Sequence, residues 1–186
     1  MPDQDVGAIY ALLSRVFLKE TDAALLHELA RDEIAQIGES LAPGFRARIA
    51  PPHDDEARLE EEATEYARLF LLPGGVSPYA AGWMAGEEGA IRADLEERIS
   101  NLYEVLRLRP ADFGLGNVPS DHVGMLLALT AAAYGIEPSG DLANRCRALL
   151  KPWGATFGET LATTTESPLY RAAGRLLVIL LDDDAA

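Results

Sequence analysis

From Val123 to Tyr134 the chain reads Val-Gly-Met-Leu-Leu-Ala-Leu-Thr-Ala-Ala-Ala-Tyr, apolar on almost every side of a helical wheel. A helix of that kind has no polar face to give to water, so it is expected in the middle of a domain with other helices packed around it. Pro119-Ser120-Asp121 stands directly before it and supplies a turn and helix-opening residues.

The rest of the chain offers surroundings for such a helix. Val6, Ile9, Tyr10, Leu13, Val16 and Phe17 recur at helical spacing and form one core-facing stripe. Thr21 and Asp22 can cap a second helix bearing Leu25, Leu26 and Leu29, and a third carries Ile34, Ile37 and Leu41 until Pro43-Gly44 stops it. After Pro51-Pro52, the residues His53 to Asp55 lead into a helix with Leu59, Ala63, Tyr66 and Phe70 that ends near Leu71. Pro73-Gly74-Gly75-Val76-Ser77-Pro78 cannot continue it, because proline lacks the amide donor and glycine adds backbone entropy.

Beyond Gly89 a long amphipathic helix places Ile91, Leu95, Ile99, Leu102 and Leu106 on one face and Arg92, Asp94, Glu96, Glu97 and Arg98 on the other. A second loop is expected from Pro110 to Val118. Ser139 or Asp141 opens a helix with Leu142, Cys146 and Leu149, Pro152 interrupts it before Trp153, Phe157 and Leu161, and Ser167-Pro168 caps the last helix, from Leu169 to Leu180. No hairpin signal or internal repeat occurs. The expectation is an all-α, single globular helical domain of about eight to ten helices spanning residues 1–186.

Charge narrows the partners. The chain has 30 acidic and 16 basic side chains, a formal net charge of −14, so a phosphate backbone is repelled and nucleic acid is not expected as a partner. The same field draws in cationic peptides, and it also keeps a small protein soluble. Cys146 is the single cysteine, which rules out an internal disulfide and suits a reducing compartment. Met1 to Asp5 carries acids where an export signal has basic residues, and no apolar run reaches the ~18 residues of a membrane span. A cytoplasmic protein without an integral membrane segment is therefore expected.

No catalytic constellation emerges. His27, His53 and His122 have no metal-ligand spacing, no nucleophile elbow or phosphate loop is present, and Gly114-Leu115-Gly116 lacks the strand that a dinucleotide motif needs. Neither a cofactor nor a metal is expected. Asp121-His122 at the start of a helix can simply be an N-terminal turn whose acid favours the positive helix end, and Tyr79 and Trp83 can simply cover the core.

Taken in order, however, several stretches resemble the TorD/DmsD family of redox-enzyme maturation chaperones. Glu65-Tyr66-Ala67-Arg68-Leu69-Phe70, then Pro73 and Pro78-Tyr79, is similar to the family's Tyr-x-x-Leu-Phe…Pro…Pro-Tyr signature. Pro119-Ser120-Asp121-His122 before an apolar helix is similar to its Pro-x-Asp-His segment. Leu102-Tyr103, Leu150-Lys151-Pro152-Trp153 with Phe157, and Ser167 to Leu181 fit its later helices. Ala80-Ala81 stands where the family often has Glu-Ser, and Val118 where an acid commonly precedes the Pro-x-Asp-His segment.

The resemblance implies a chaperone, not an enzyme, that binds the twin-arginine signal or N-terminal region of a molybdenum-containing oxidoreductase. Such a receptor needs carboxylates beside an apolar groove, because arginine pairs strongly with carboxylate. The residues it implicates are Glu65, Tyr66, Phe70, Pro78, Tyr79, Trp83, Pro119, Asp121 and His122. Asp121, with Glu65, is expected as an exposed contact for arginine, and the aromatic residues as the border of the groove. A monomer or a domain-swapped dimer fits the long central loops. The rival readings are a helical scaffold or nucleotide-binding regulatory protein, and a hydrolase using Asp121 and His122, for which no nucleophile or metal is in sight.

Overall fold

The computed structural model describes residues 3–84, 86–109, 118–137 and 141–182. Among them the only regular structure is helical: α1 (Asp3–Leu18), α2 (Ala23–Leu29), α3 (Asp32–Leu41), α4 (Phe45–Arg48), α5 (Glu56–Tyr66), α6 (Glu88–Leu106), α7 (Val123–Ile136), α8 (Asp141–Leu150), α9 (Gly154–Thr164) and α10 (Pro168–Leu181). A π turn, Ala67–Leu71, extends α5, and a 3-10 turn covers Ala80–Gly82. None of these helices is long and apolar enough to cross a membrane. The expected loop from Pro110 falls, as far as residue 117, outside the described residues, as does Ser139.

The chain divides into two compact units, Met1–Leu18 with Pro78–Gly154, and Lys19–Ser77 with Ala155–Ala186. In the first, α7 is the central helix expected from its composition, with every residue from Val123 to Thr130 buried. Its main neighbour is α1, and α6 and α8 complete the surround. The approach of α1 is close: a Cβ added at Gly124 would lie 2.4 Å from the Leu18 side chain. Ser14 Oγ donates to the Gly124 carbonyl at 2.9 Å, and Tyr10 stacks on Tyr134 with ring centroids 5.6 Å apart. Thr130, the one polar side chain on the buried run, donates to the Leu126 carbonyl at 2.8 Å, so it costs no unmet hydrogen bond.

In the second unit α10 packs on α3 and α4. Ser167 caps α10 by accepting the Leu169 amide, as its place before Pro168 indicates, and Asp22 and Asp55 cap α2 and α5 in the same manner. The third helix departs from expectation. Ala35 and Gly38 are its buried residues, while Ile37 is 45% exposed. The short α4 has no signal of its own in the sequence; Gly44 at φ 90° turns the chain into it.

Runs of like charge such as Glu60-Glu61-Glu62 usually form a solvated face, yet Glu62 is fully buried. It accepts from Arg48 Nε and from Ser167 Oγ at 3.0 and 3.1 Å, which ties α4, α5 and the start of α10 together. Burial raises its pKa above the usual carboxylate value, and Arg48 and Ser167 oppose that rise.

Helices α9 and α10 meet at two glycines. A Cβ at Gly174 would lie 2.5 Å from the Gly158 carbonyl oxygen, and one at Gly158 would lie 2.6 Å from that of Gly174. Both obstacles are backbone, which cannot step aside as a side chain can. Gly174→Ala should therefore destabilise by about 1–3 kcal/mol, even though alanine gains ~1 kcal/mol in helix propensity. Gly135→Ala, where nothing lies within 4 Å, should stabilise slightly. Urea unfolding of the two variants gives opposite signs if the packing is as described.

Candidate functional site

The candidate residues fall into the two units. In the first, the hook Pro78–Trp83 is fastened to the turn that opens α7. Ala80 donates its amide to the Asp121 carbonyl at 3.0 Å, and Val123 donates to the Pro78 carbonyl at 2.7 Å. Between these bonds Tyr79 and His122 form an isolated antiparallel bridge, and their rings meet edge to face at 5.3 Å. Proline at 78 suits this place because only its carbonyl is used. The Pro78–Trp83 part of the expected loop thus lies beside the turn at Pro119.

Pro119 is exposed and accepts the His122 amide at 3.1 Å, closing the turn. His122 is the N-cap of α7, its Nδ1 accepting the Gly124 amide at 3.1 Å. That role needs an unprotonated Nδ1, and burial pushes the imidazole pKa down to about 4.

Asp121 is buried, with 1% exposure, and so is not the exposed contact expected from its motif. Desolvation raises its pKa, while Arg92 and the amides of Ala81 and Asp121 itself oppose the rise. Arg92 Nε stands 3.9 Å from Oδ2, too far for a hydrogen bond, and Oδ2 has no hydrogen-bond partner among the described residues. Arg92 also pairs with Glu88 at 3.0 Å. The carboxylate is therefore held in a field that only partly compensates it.

Next to this turn lies a cavity of about 440 Å3, lined along α6 by Glu96, Ile99, Ser100, Tyr103, Glu104 and Arg107, with Leu108, Arg109 and Ser120. That volume falls within the ~300–1,000 Å3 of ligand clefts. Arg107, which ends α6, takes the left-handed conformation at φ 56°. None of the α6 lining residues was singled out as a site residue by motif, since on the sequence they read as a stripe and a solvated face.

In the second unit Glu65 is committed to its own unit. It accepts from Arg68 at 2.7 and 2.8 Å, from Thr165 Oγ1 at 2.7 Å and from the Glu166 amide at 3.0 Å. The Arg68 guanidinium holds its pKa down to about 2. Arg68 follows Glu65 by three residues on a helix, so this pairing had a signal in the sequence. Tyr66 and Phe70 are buried and cluster with Tyr170, at centroid distances of 6.4 and 5.8 Å.

Among the described residues the architecture is all-helical, with a hook fastened at the start of the central helix, and comparison with known proteins gives the family. The sequence profile of the family described as nitrate reductase delta subunit matches residues 3–159. The chain is 27% identical over 200 residues to the chaperone protein TorD of Shewanella piezotolerans (strain WP3 / JCM 13877), covering 98% of this chain and 91% of that protein. It is 25% identical over 201 residues to chaperone protein TorD of Shewanella pealeana (strain ATCC 700345 / ANG-SQ1), covering 98% and 89%. With the chaperone protein TorD of Aggregatibacter aphrophilus (strain NJ8700) it shares 28% identity over 129 residues, covering 68% and 60%. The chain belongs to the TorD-containing nitrate reductase delta subunit family.

The buried neutral imidazole has a consequence for pH. The unfolded histidine titrates near 6.5 and the folded one near 4, so the unfolded state binds the extra proton between these values and stability falls as pH drops through that window. The loss is at most ~1.4 kcal/mol for each pH step. His122→Asn retains an N-cap acceptor without a titrating ring. Urea unfolding at pH 7 and pH 5 should show a larger loss on acidification for the parent protein than for the variant; Glu65, held near 2, contributes nothing to that difference.

Proposed function

We propose that this chain is a cytoplasmic chaperone without catalytic activity, which binds the twin-arginine signal, or another N-terminal segment, of a molybdenum-containing oxidoreductase. It holds that client until cofactor insertion and assembly are complete. Family membership and the chaperone names of its relatives support the reading, and the net charge of −14 suits a cationic ligand. The observation that carries it is the knot of Pro78–Trp83 on Pro119–His122, which sets an incompletely compensated carboxylate next to an open cavity.

In this reading Asp121 acts through its field, from below the surface, and attracts a guanidinium that Arg92 does not displace. Tyr79, Trp83, Pro78, Pro119 and His122 give the knot its shape. Glu65, Tyr66 and Phe70 serve the interior of the second unit. The commitment of Glu65 to Arg68 argues against a direct grip on the client.

The test is a fluorescence-anisotropy titration with a peptide bearing two adjacent arginines and an apolar stretch, set against a scrambled peptide of the same composition. The ordered peptide should bind more tightly, and high salt should weaken it as the Debye length shrinks to ~3 Å at ~1 M. Equal affinity for both peptides overturns the reading. Asp121→Asn, which keeps the side-chain shape, should weaken the ordered peptide about threefold to tenfold. It should not lower stability, because removing a desolvated charge offsets what is lost.

A further inference from the structure

The α6 side of the cavity contains a pattern that the family motifs do not include. Glu96, Ser100 and Glu104 follow one another at four-residue intervals. They form a single row along the helix, and its two carboxylates stand about 12 Å apart at ~1.5 Å rise per residue. Beside this row runs a second one, Ile99 and Tyr103, whose side chains are buried and form an apolar floor.

Glu96 and Glu104 are exposed, and neither carboxylate has a salt bridge among the described residues. Their neighbours on the same helix differ: Glu88 is taken by Arg92, and Asp94 by Arg98. The charge that Glu96 adds also reaches Asp121, where it works against ionisation. Two acids without a salt bridge among the described residues thus stand over an apolar floor in one groove, and Ser120, which also lines it, precedes the buried Asp121. Arg107 also lines the cavity and has donors suited to peptide carbonyls.

We infer that the α6 groove is the seat of the client's leader, which lies extended along the helix with its cationic side chains drawn to the acidic row of Glu96 and Glu104 and its apolar side chains on Ile99 and Tyr103. This rests on the chaperone reading above and adds the surface and the contact residues. The two rows span about 16 Å from Glu96 to Arg107, room for roughly five extended residues at ~3.3 Å each. A cationic, apolar peptide complements such a groove, whereas an anion meets carboxylates along most of it.

The experiment uses the full chain and the twin-arginine peptide, with Glu96→Gln/Glu104→Gln as the test and Glu97→Gln/Glu137→Gln, which removes the same two charges, as the control. Glu97 and Glu137 are exposed and do not line the cavity. The test variant should lose about fivefold to thirtyfold in affinity at low salt, and the control less than about twofold. All four substitutions lie on the surface, so unchanged melting of the variants confirms that the fold is intact.

Equal losses in test and control mean that net charge alone is at work and overturn the inference, as does a test variant that binds like the parent. Either result leaves the chaperone reading standing, provided the parent still prefers the ordered peptide. If phosphate competes with the peptide and Arg107→Gln, not the test variant, abolishes binding, the groove is an anion site and the inference fails.

Discussion

Two backbone hydrogen bonds, from Ala80 to Asp121 and from Val123 to Pro78, determine what the candidate site is. A helix start leaves amides without partners, and here the first amide of α7 is met by the carbonyl of a proline that has no amide to offer in return. The segment after that proline is thereby pinned beside the turn, with Tyr79 on the His122 ring. Because α7 is the buried centre of its unit, the knot inherits the rigidity of the core.

That rigidity has electrostatic consequences. His122 caps the central helix with a ring nitrogen, and the cap works only while the imidazole is neutral, a state that burial enforces. Asp121 and Glu65 then form an instructive contrast between two acids from the same set of motifs. Glu65 has an arginine, a hydroxyl and an amide on it and is stable as an anion. Asp121 is more deeply buried, has a guanidinium only at a distance, and is pushed toward protonation. The first carboxylate is satisfied, while the second retains an unmet demand for a cation.

The fold was legible where one physical signal dominates. All-round apolarity identified α7 as central, the stripe from Val6 to Phe17 gave α1, and Ser167-Pro168 marked the start of α10. It was less legible where small residues decide the packing. Gly38 and Ala35, not Ile37, face inward on α3, because the room left between elements matters more there than hydrophobicity. Glu62 reads as part of a solvated run until Arg48 and Ser167, distant in sequence, are seen to meet it. For the site, chain order suggested which segments to join, and the hook and the turn do meet. The depth of Asp121 and the row from Glu96 to Glu104 depend on how α6 is rotated against that turn, and rotation of that kind is set by packing that no local pattern encodes.

The most direct measurement of the central claim is hydrogen–deuterium exchange, read by mass spectrometry with and without a twin-arginine peptide. If the client's leader lies in the groove beside the knot, added protection appears on peptides covering residues 96–108 and 78–83 and at the turn of residues 118–123, with α10 unchanged. Protection confined to α10 and α3, or no change at saturating peptide, would contradict the account.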